Sequence, residues 1–142
     1  MDITVLGAGR CVTGSKYHLQ WKRHSALVDC GLFPGPAEHR RRNWASLPHP
    51  AGELGAVVIT HAHIDHSGYL PRLCRQGFSG PVSCTPPTVD LLRVLLPDAA
   101  KIQEEEARYA NRKGYSKHAP ALPLFRMADA MAALKLLEPV PF

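Results

Sequence analysis

The sequence predicts an α/β layered fold, and three features carry that expectation. Gly55 to Thr60 is a near-continuous apolar run of strand length, the pattern of a strand buried on both faces. Short alternating segments of strand type precede it, and stretches with helical spacing follow it. Strands first, then strand and helix in alternation, is the order of a sheet with helices layered against it.

Each element has a local reason. Ile3 to Leu6 reads as a short strand that ends at Gly7-Ala8-Gly9, where glycine permits a turn closed to other residues. A dinucleotide loop is excluded by spacing, because position 12, where the third glycine would fall, is Val12. Tyr17, Leu19 and Trp21 alternate, Ala26 to Val28 is apolar, and Lys22 to Ser25 between them forms the hairpin. Phe33 to Pro50 is rich in Pro, Arg, Asn and His, a surface loop with one helical turn around 36–44.

After the apolar strand, Ser67 is placed to cap a helix that carries Pro71 in its first turn and ends near Gly77. Pro81 to Cys84 is a further short strand. Thr88 is expected to cap a helix that Pro97 interrupts, with a second helix from Asp98 to Lys113 stopped by Gly114. In that second helix Glu104 and Arg108 are spaced to pair across one turn. Met127, Ala130, Met131, Leu134 and Leu137 recur at helical spacing and describe a core-facing stripe. Glu138 to Phe142 begins another strand.

With 142 residues, 45% hydrophobic and 20% charged, the chain is of a size for one domain and lies far from disordered or fibrous compositions. No window approaches about 18 uninterrupted apolar residues, so no membrane span is expected. The N-terminus lacks the basic start and apolar core of a signal peptide. Cys11, Cys30, Cys74 and Cys84 form no CxxC pair, so reduced, packed thiols and a cytoplasmic address are expected. The net charge of +5 favours acidic partners. Its basic residues are dispersed except for Arg40-Arg41-Arg42, which is either a solvated face or a nucleic-acid contact.

The densest chemistry stands at the end of the apolar strand, where His61-x-His63-x-Asp65-His66 places four metal-capable side chains within six residues. Strand ends are where α/β sheets leave side chains free to converge on a ligand. Two imidazoles two residues apart in extended chain point the same way, so His61 and His63 can grip one metal. The following turn lets Asp65 and His66 face a second, and the mixed N and O donors suit zinc or manganese. With flat residue usage such a pattern arises by chance in on the order of one chain in a thousand of this length. His18, His24, His39, His49 and His118 have no ligand-spaced neighbour.

His61 to Gly68 (HAHIDHSG) resembles the HxHxDH signature of the metallo-β-lactamase fold hydrolases. Gly7 to Ser15 (GAGRCVTGS), Leu27 to Gly35 (LVDCGLFPG) and Asn111 to Pro123 (NRKGYSKHAPALP) further resemble the β-CASP branch, which contains RNA-processing nucleases. The resemblance implies the N-terminal half of an αββα sandwich, a mixed sheet with flanking helices, so that residues 1–142 form a partial domain without the second half and the β-CASP insert. It implies a two-zinc site with His61 and His63 on the first ion and Asp65 and His66 on the second. Asp65 would also hydrogen-bond the attacking water, and RNA would be the partner. Asp29 matches the family's first motif and would orient a ligand histidine; its plain alternative is a strand-end turn residue.

The family draws a further histidine and a bridging aspartate from the second half of its fold, and neither has a match here. Two or three ligands without that carboxylate hold one metal weakly, so one ion or none is expected and this chain alone is expected to be inactive. A C-terminal half or a second copy would cover the sheet face left open. The alternatives are a non-catalytic metal-binding remnant or partner module, and a small-molecule thioester or lactam hydrolase of the same fold.

Overall fold

A computed structural model describes residues 1–9 and 11–141. Arg10, in the 7–15 stretch, and Phe142, at the end of the expected last strand, lie outside the described residues. Six strands form one sheet in chain order: β1 (Asp2–Gly7), β2 (Lys16–Trp21), β3 (His24–Val28), β4 (Ala56–Val58), β5 (Val82–Cys84) and β6 (Leu137–Pro139). The first three pair antiparallel and the last four pair parallel. The β2–β3 hairpin turns at Lys22, whose positive φ of 54° suits the tight right-handed twist of a two-residue loop.

Parallel neighbours need crossovers, and the helices supply them. α1 (Ala37–Arg41) lies between β3 and β4, α2 (Ile64–Ser67) and α3 (Leu70–Arg75) between β4 and β5, and α4 (Pro86–Lys113) with α5 (Met127–Leu134) between β5 and β6. The mixed sheet with flanking helices is as the sequence predicts. Among the described residues no helix is long and apolar enough to cross a membrane.

The cross-strand register divides the sheet into two faces. Thr4, His18, Leu27, Val57, Val82 and Leu137 stand side by side on one face. Leu27, Val57 and Val82 there are fully buried and join the core with Leu70, Leu73, Leu92, Leu96 and Phe125. Val5, Tyr17, Val28, Val58, Ser83 and Glu138 stand on the other face, where Val5 is 53% and Val58 43% exposed. The run at 55–60 is therefore not buried on both faces, because no layer of the described residues covers the second one. The apolar alternation of β2 points to that open side, while Lys16 and His18 are buried on the other.

Five helix expectations are corrected. α4 is one helix of 28 residues with Pro97 inside it, starting after Thr85 rather than at Thr88, with prolines in its first turn. An internal proline loses one hydrogen bond and costs about 3 kcal/mol. Leu92, Leu96 and Ala100 are fully buried on either side of it, and burying each leucine returns about 1.5–3 kcal/mol. Packing carries the helix through the break. Its stop at Gly114, with φ 68° and its N–H on the Ala110 carbonyl at 2.9 Å, is the one read from the sequence.

Ser67 lies inside α2 and does not cap a helix; its hydroxyl donates to the carbonyls of Ala62 and His63, both at 3.0 Å. Glu104 does not pair with Arg108, since its carboxylate accepts the Met127 N–H at the start of α5 at 2.9 Å. α5 buries Ala130 and Ala133, whereas Met127 and Met131 are exposed, because α5 packs closely on α3 and α4 and small residues allow that approach.

Candidate functional site

Below the histidine cluster the chain makes its tightest backbone contacts. α2 is a single turn, so only its Ile64 carbonyl takes a helical bond, from the Gly68 N–H at 2.9 Å, and the carbonyls of Asp65 and His66 need partners from elsewhere. Neighbouring loops supply them: Ser15 N–H donates to Asp65 O at 2.8 Å and Cys30 N–H to His66 O at 2.7 Å, while Leu32 N–H also donates to Ile64 O at 3.0 Å. Gly31 lies so close that a Cβ there would sit 1.6 Å from the Asp65 carbonyl oxygen. Only glycine fits that approach.

Asp29 connects this floor to the imidazoles. It sits at the end of β3 with φ 60° and is buried, a left-handed conformation that Asp tolerates better than most residues and that costs of order 1–3 kcal/mol. Its Oδ1 accepts the Thr60 N–H at 2.9 Å and the Thr60 hydroxyl at 2.8 Å. Its Oδ2 accepts the Ser15 hydroxyl at 3.0 Å and faces His66 Nδ1 at 2.7 Å. Burial alone would raise this carboxyl's pKa, but the bonds from Thr60, His66 and Ser15 outweigh burial and hold it below its ordinary value.

An ionised Asp29 accepts the proton of His66 Nδ1, which leaves the lone pair of Nε2 free for a ligand. That Nε2 lies 3.6 Å from Asp65 Oδ2. Thr60 extends the same order to the next ring, because its hydroxyl gives its proton to Asp29 and faces His61 Nδ1 at 3.1 Å. His61 Nε2 then faces His63 Nδ1 at 3.1 Å. The His61 and His66 rings are 4.0 Å apart between centroids.

The four residues singled out in the sequence therefore lie together as two pairs, His61 with His63 and Asp65 with His66, with Asp29 beneath. Ligands about 2.0–2.1 Å from a tetrahedral ion stand about 3.4 Å from each other, so each pair has the separation of two neighbouring ligands, and N and O donors suit zinc. Among the described residues no group of three or more His, Cys, Asp or Glu is arranged to hold a metal. The donor chemistry fits, and the donor set is open.

Ser15 and Thr60 were not singled out as functional. Ser15 closes one of the motif-like stretches and Thr60 directly precedes His61; neither position reveals that both hydroxyls meet on one carboxylate. Of the histidines set aside, His18 is buried, bonded to the Ser25 hydroxyl at 2.8 Å and stacked on His49. All four cysteines are unpaired.

A mixed sheet with flanking helices and an HxHxDH turn just beyond its interior strand β4 defines a class, and the family comparison agrees. The model of the beta-lactamase superfamily domain matches residues 24–135, so the chain belongs to the metallo-β-lactamase superfamily. Ribonuclease TTHA0252 of Thermus thermophilus is 45% identical to it over 142 residues, all of this chain and 28% of that protein. The transcription termination factor FttA of Cenarchaeum symbiosum is 35% identical over 146 residues, 96% of this chain and 22% of that protein. The chain thus spans about a quarter of the length of these curated relatives. Among solved structures, a metallo-β-lactamase with a HARLDQ motif from Cronobacter sakazakii matches 63% of this chain and 31% of its own, at 21% identity and a TM-score of 0.47.

Proposed function

We propose that this chain is one portion of a metal-dependent hydrolase of the β-CASP branch that cleaves RNA phosphodiester bonds in the cytoplasm, with residues 1–142 forming part of the metallo-β-lactamase domain. The observation that carries the reading is the Asp29 carboxylate 2.7 Å from His66 Nδ1 at the base of the HxHxDH turn. A buried acid holding one imidazole nitrogen is the usual partner of a metal-ligating histidine. The 45% identity to a protein named as a ribonuclease supports RNA as the substrate, and the four unpaired thiols support a reducing compartment.

In this reading His61 and His63 hold one zinc ion, and Asp65 and His66 hold the second. Bound zinc supplies Lewis acidity, which lowers the pKa of water and offsets charge on the phosphoryl oxygens. The chain's own residues do the positioning. Asp29 keeps His66 Nε2 directed at the site, Thr60 does the same for His61, and Asp65 would accept a hydrogen bond from the attacking water through the carboxylate oxygen that does not hold the ion. Further ligands come from outside these residues, from a C-terminal half laid over the open sheet face or from a second copy of the chain, so this chain alone turns over RNA poorly.

A second reading, a metal-binding module without catalysis, rests on the same two donor pairs, His61 with His63 and Asp65 with His66. Zinc per chain after equilibrium dialysis, and cleavage of labelled RNA with and without chelator, separate the two. Asp29→Asn is expected to weaken zinc retention about 10- to 100-fold while the fold persists by circular dichroism. Unchanged zinc retention in that variant overturns the metal-site assignment. Zinc-dependent RNA cleavage by the longer protein supports hydrolysis, and its absence leaves the binding module as the correct reading.

A further inference from the structure

Away from the histidine turn lies a groove of about 950 Å³ between α1 and the loop after α4, lined by Arg40, Arg41, Trp44, Lys117, His118 and Leu122 among others. No carboxylate lines it. Among the described residues Arg40, Arg41 and Lys117 have no acidic partner within ion-pair distance. A second hollow of about 420 Å³ adjoins it through shared Arg40, Trp44 and Leu122 and brings in Tyr115, with Glu106 as the one carboxylate among its described lining residues.

The aromatic rings here are presented to solvent. Trp44 is 50% and Tyr115 64% exposed, and Arg72 stands 5.4 Å from the Trp44 ring centre, holding the ring from one side. Both walls are pinned by an asparagine that grips backbone with two bonds. Asn43 takes the N–H and carbonyl of Phe33, each at 2.9 Å, and Asn111 takes the Ala121 carbonyl at 2.9 Å and its N–H at 2.6 Å. Phe33 closes the same 29–33 loop that supports the histidine turn, so one wall of the groove is fastened to the floor of the candidate metal site.

From this arrangement we infer that the α1 groove is a docking site for single-stranded RNA, with Arg40, Arg41 and Lys117 on phosphates and Trp44 and Tyr115 as stacking planes for bases. Unpaired cations interleaved with exposed rings suit a polyanion that carries flat groups, and splayed bases reach rings in a concave groove that duplex bases do not. The choice of RNA over an acidic polypeptide rests on the function proposed above; the location of the groove does not.

The test is fluorescence anisotropy of a labelled oligouridylate of about 12 nucleotides with the full chain in chelator, titrated over several salt concentrations. Arg40→Glu with Arg41→Glu is expected to weaken binding at least about tenfold and to reduce the salt slope by about 1.4, since each phosphate contact on a single strand contributes about 0.7. Trp44→Ala is expected to weaken binding about tenfold with the slope unchanged. Arg40→Gln with Arg41→Gln, which removes the same two contacts and so the same amount of about 1.4 from the slope, is read instead if the reversed variant does not fold by circular dichroism. Affinity within twofold of the unaltered chain in both arginine variants overturns the proposal, as does competition by polyglutamate equal to that by the oligonucleotide. Groove-dependent binding without RNA cleavage by the longer protein overturns the hydrolase reading alone. Cleavage intact with binding indifferent to the groove variants overturns the groove alone.

Discussion

The two faces of the sheet are built from similar residues and have opposite fates. On one, Leu27, Val57 and Val82 are fully buried under α3, α4 and α5; on the other, Val5 and Val58 stand in solvent beside Tyr17 and Val28. Apolar character alone therefore does not decide burial. A valine is buried when the chain supplies a surface to cover it, and here helices are supplied to one side. The covered face even accepts Lys16 and His18 at its end, because their polar atoms find Gly31 and Ser25.

The comparison can be broken or sharpened by substitution. Leu27→Ala on the covered face is expected to cost about 2–5 kcal/mol in urea unfolding, the range for opening a cavity among packed neighbours. A loss below about 1 kcal/mol would mean that this face is not the folding core. Pro97→Ala, in the helix that covers the same face, is expected to raise stability by about 1–3 kcal/mol in the same measurement, because the missing backbone hydrogen bond returns. No gain would show that α4 bends at this point to fit the core.

Lys16 gives a smaller effect with a definite sign. Burial lowers its ammonium to a pKa of about 8, so between that pH and its ordinary value the unfolded chain binds the proton that the folded chain has released. Stability from this group therefore rises with pH, by about 1 kcal/mol between pH 8 and 9. From about pH 8 upward the thiols of Cys30 and Cys74, raised by burial to about 12 and about 11, and that of Cys84, also raised by burial, work in the opposite sense as they ionise in the unfolded chain, so they offset much of this rise. In denaturation curves taken at each pH, Lys16→Met is expected to shift the change in stability between pH 8 and 9 downward by about 1 kcal/mol relative to the unaltered chain; an identical pH profile in that variant would assign the effect to another group.

The smallest effect is expected on the open face, where Val58→Thr should change stability by less than about 0.5 kcal/mol. A cost above about 1 kcal/mol would mean that the face is covered in solution, and sedimentation would then show a second copy of the chain bound to it.

Much of this molecule was legible before its tertiary structure. The strands, the β2–β3 hairpin, the stop at Gly114 and the cluster at 61–66 follow from side-chain alternation, from glycine's access to positive φ and from residue types within a few positions of each other. Such effects act over one or two turns of chain, so a local window contains their cause.

What only the tertiary structure decided depends on surfaces far apart in the chain. Pro97 reads as a break until the core contacts of Leu92 and Leu96 are known, and the methionines of α5 read as core until alanines are seen to pack closer. Asp29 meets His66 across 37 residues, and Ser15 and Thr60 converge on the same carboxylate. Burial and long-range hydrogen bonding are properties of the partner that arrives, and sequence spacing does not contain the partner.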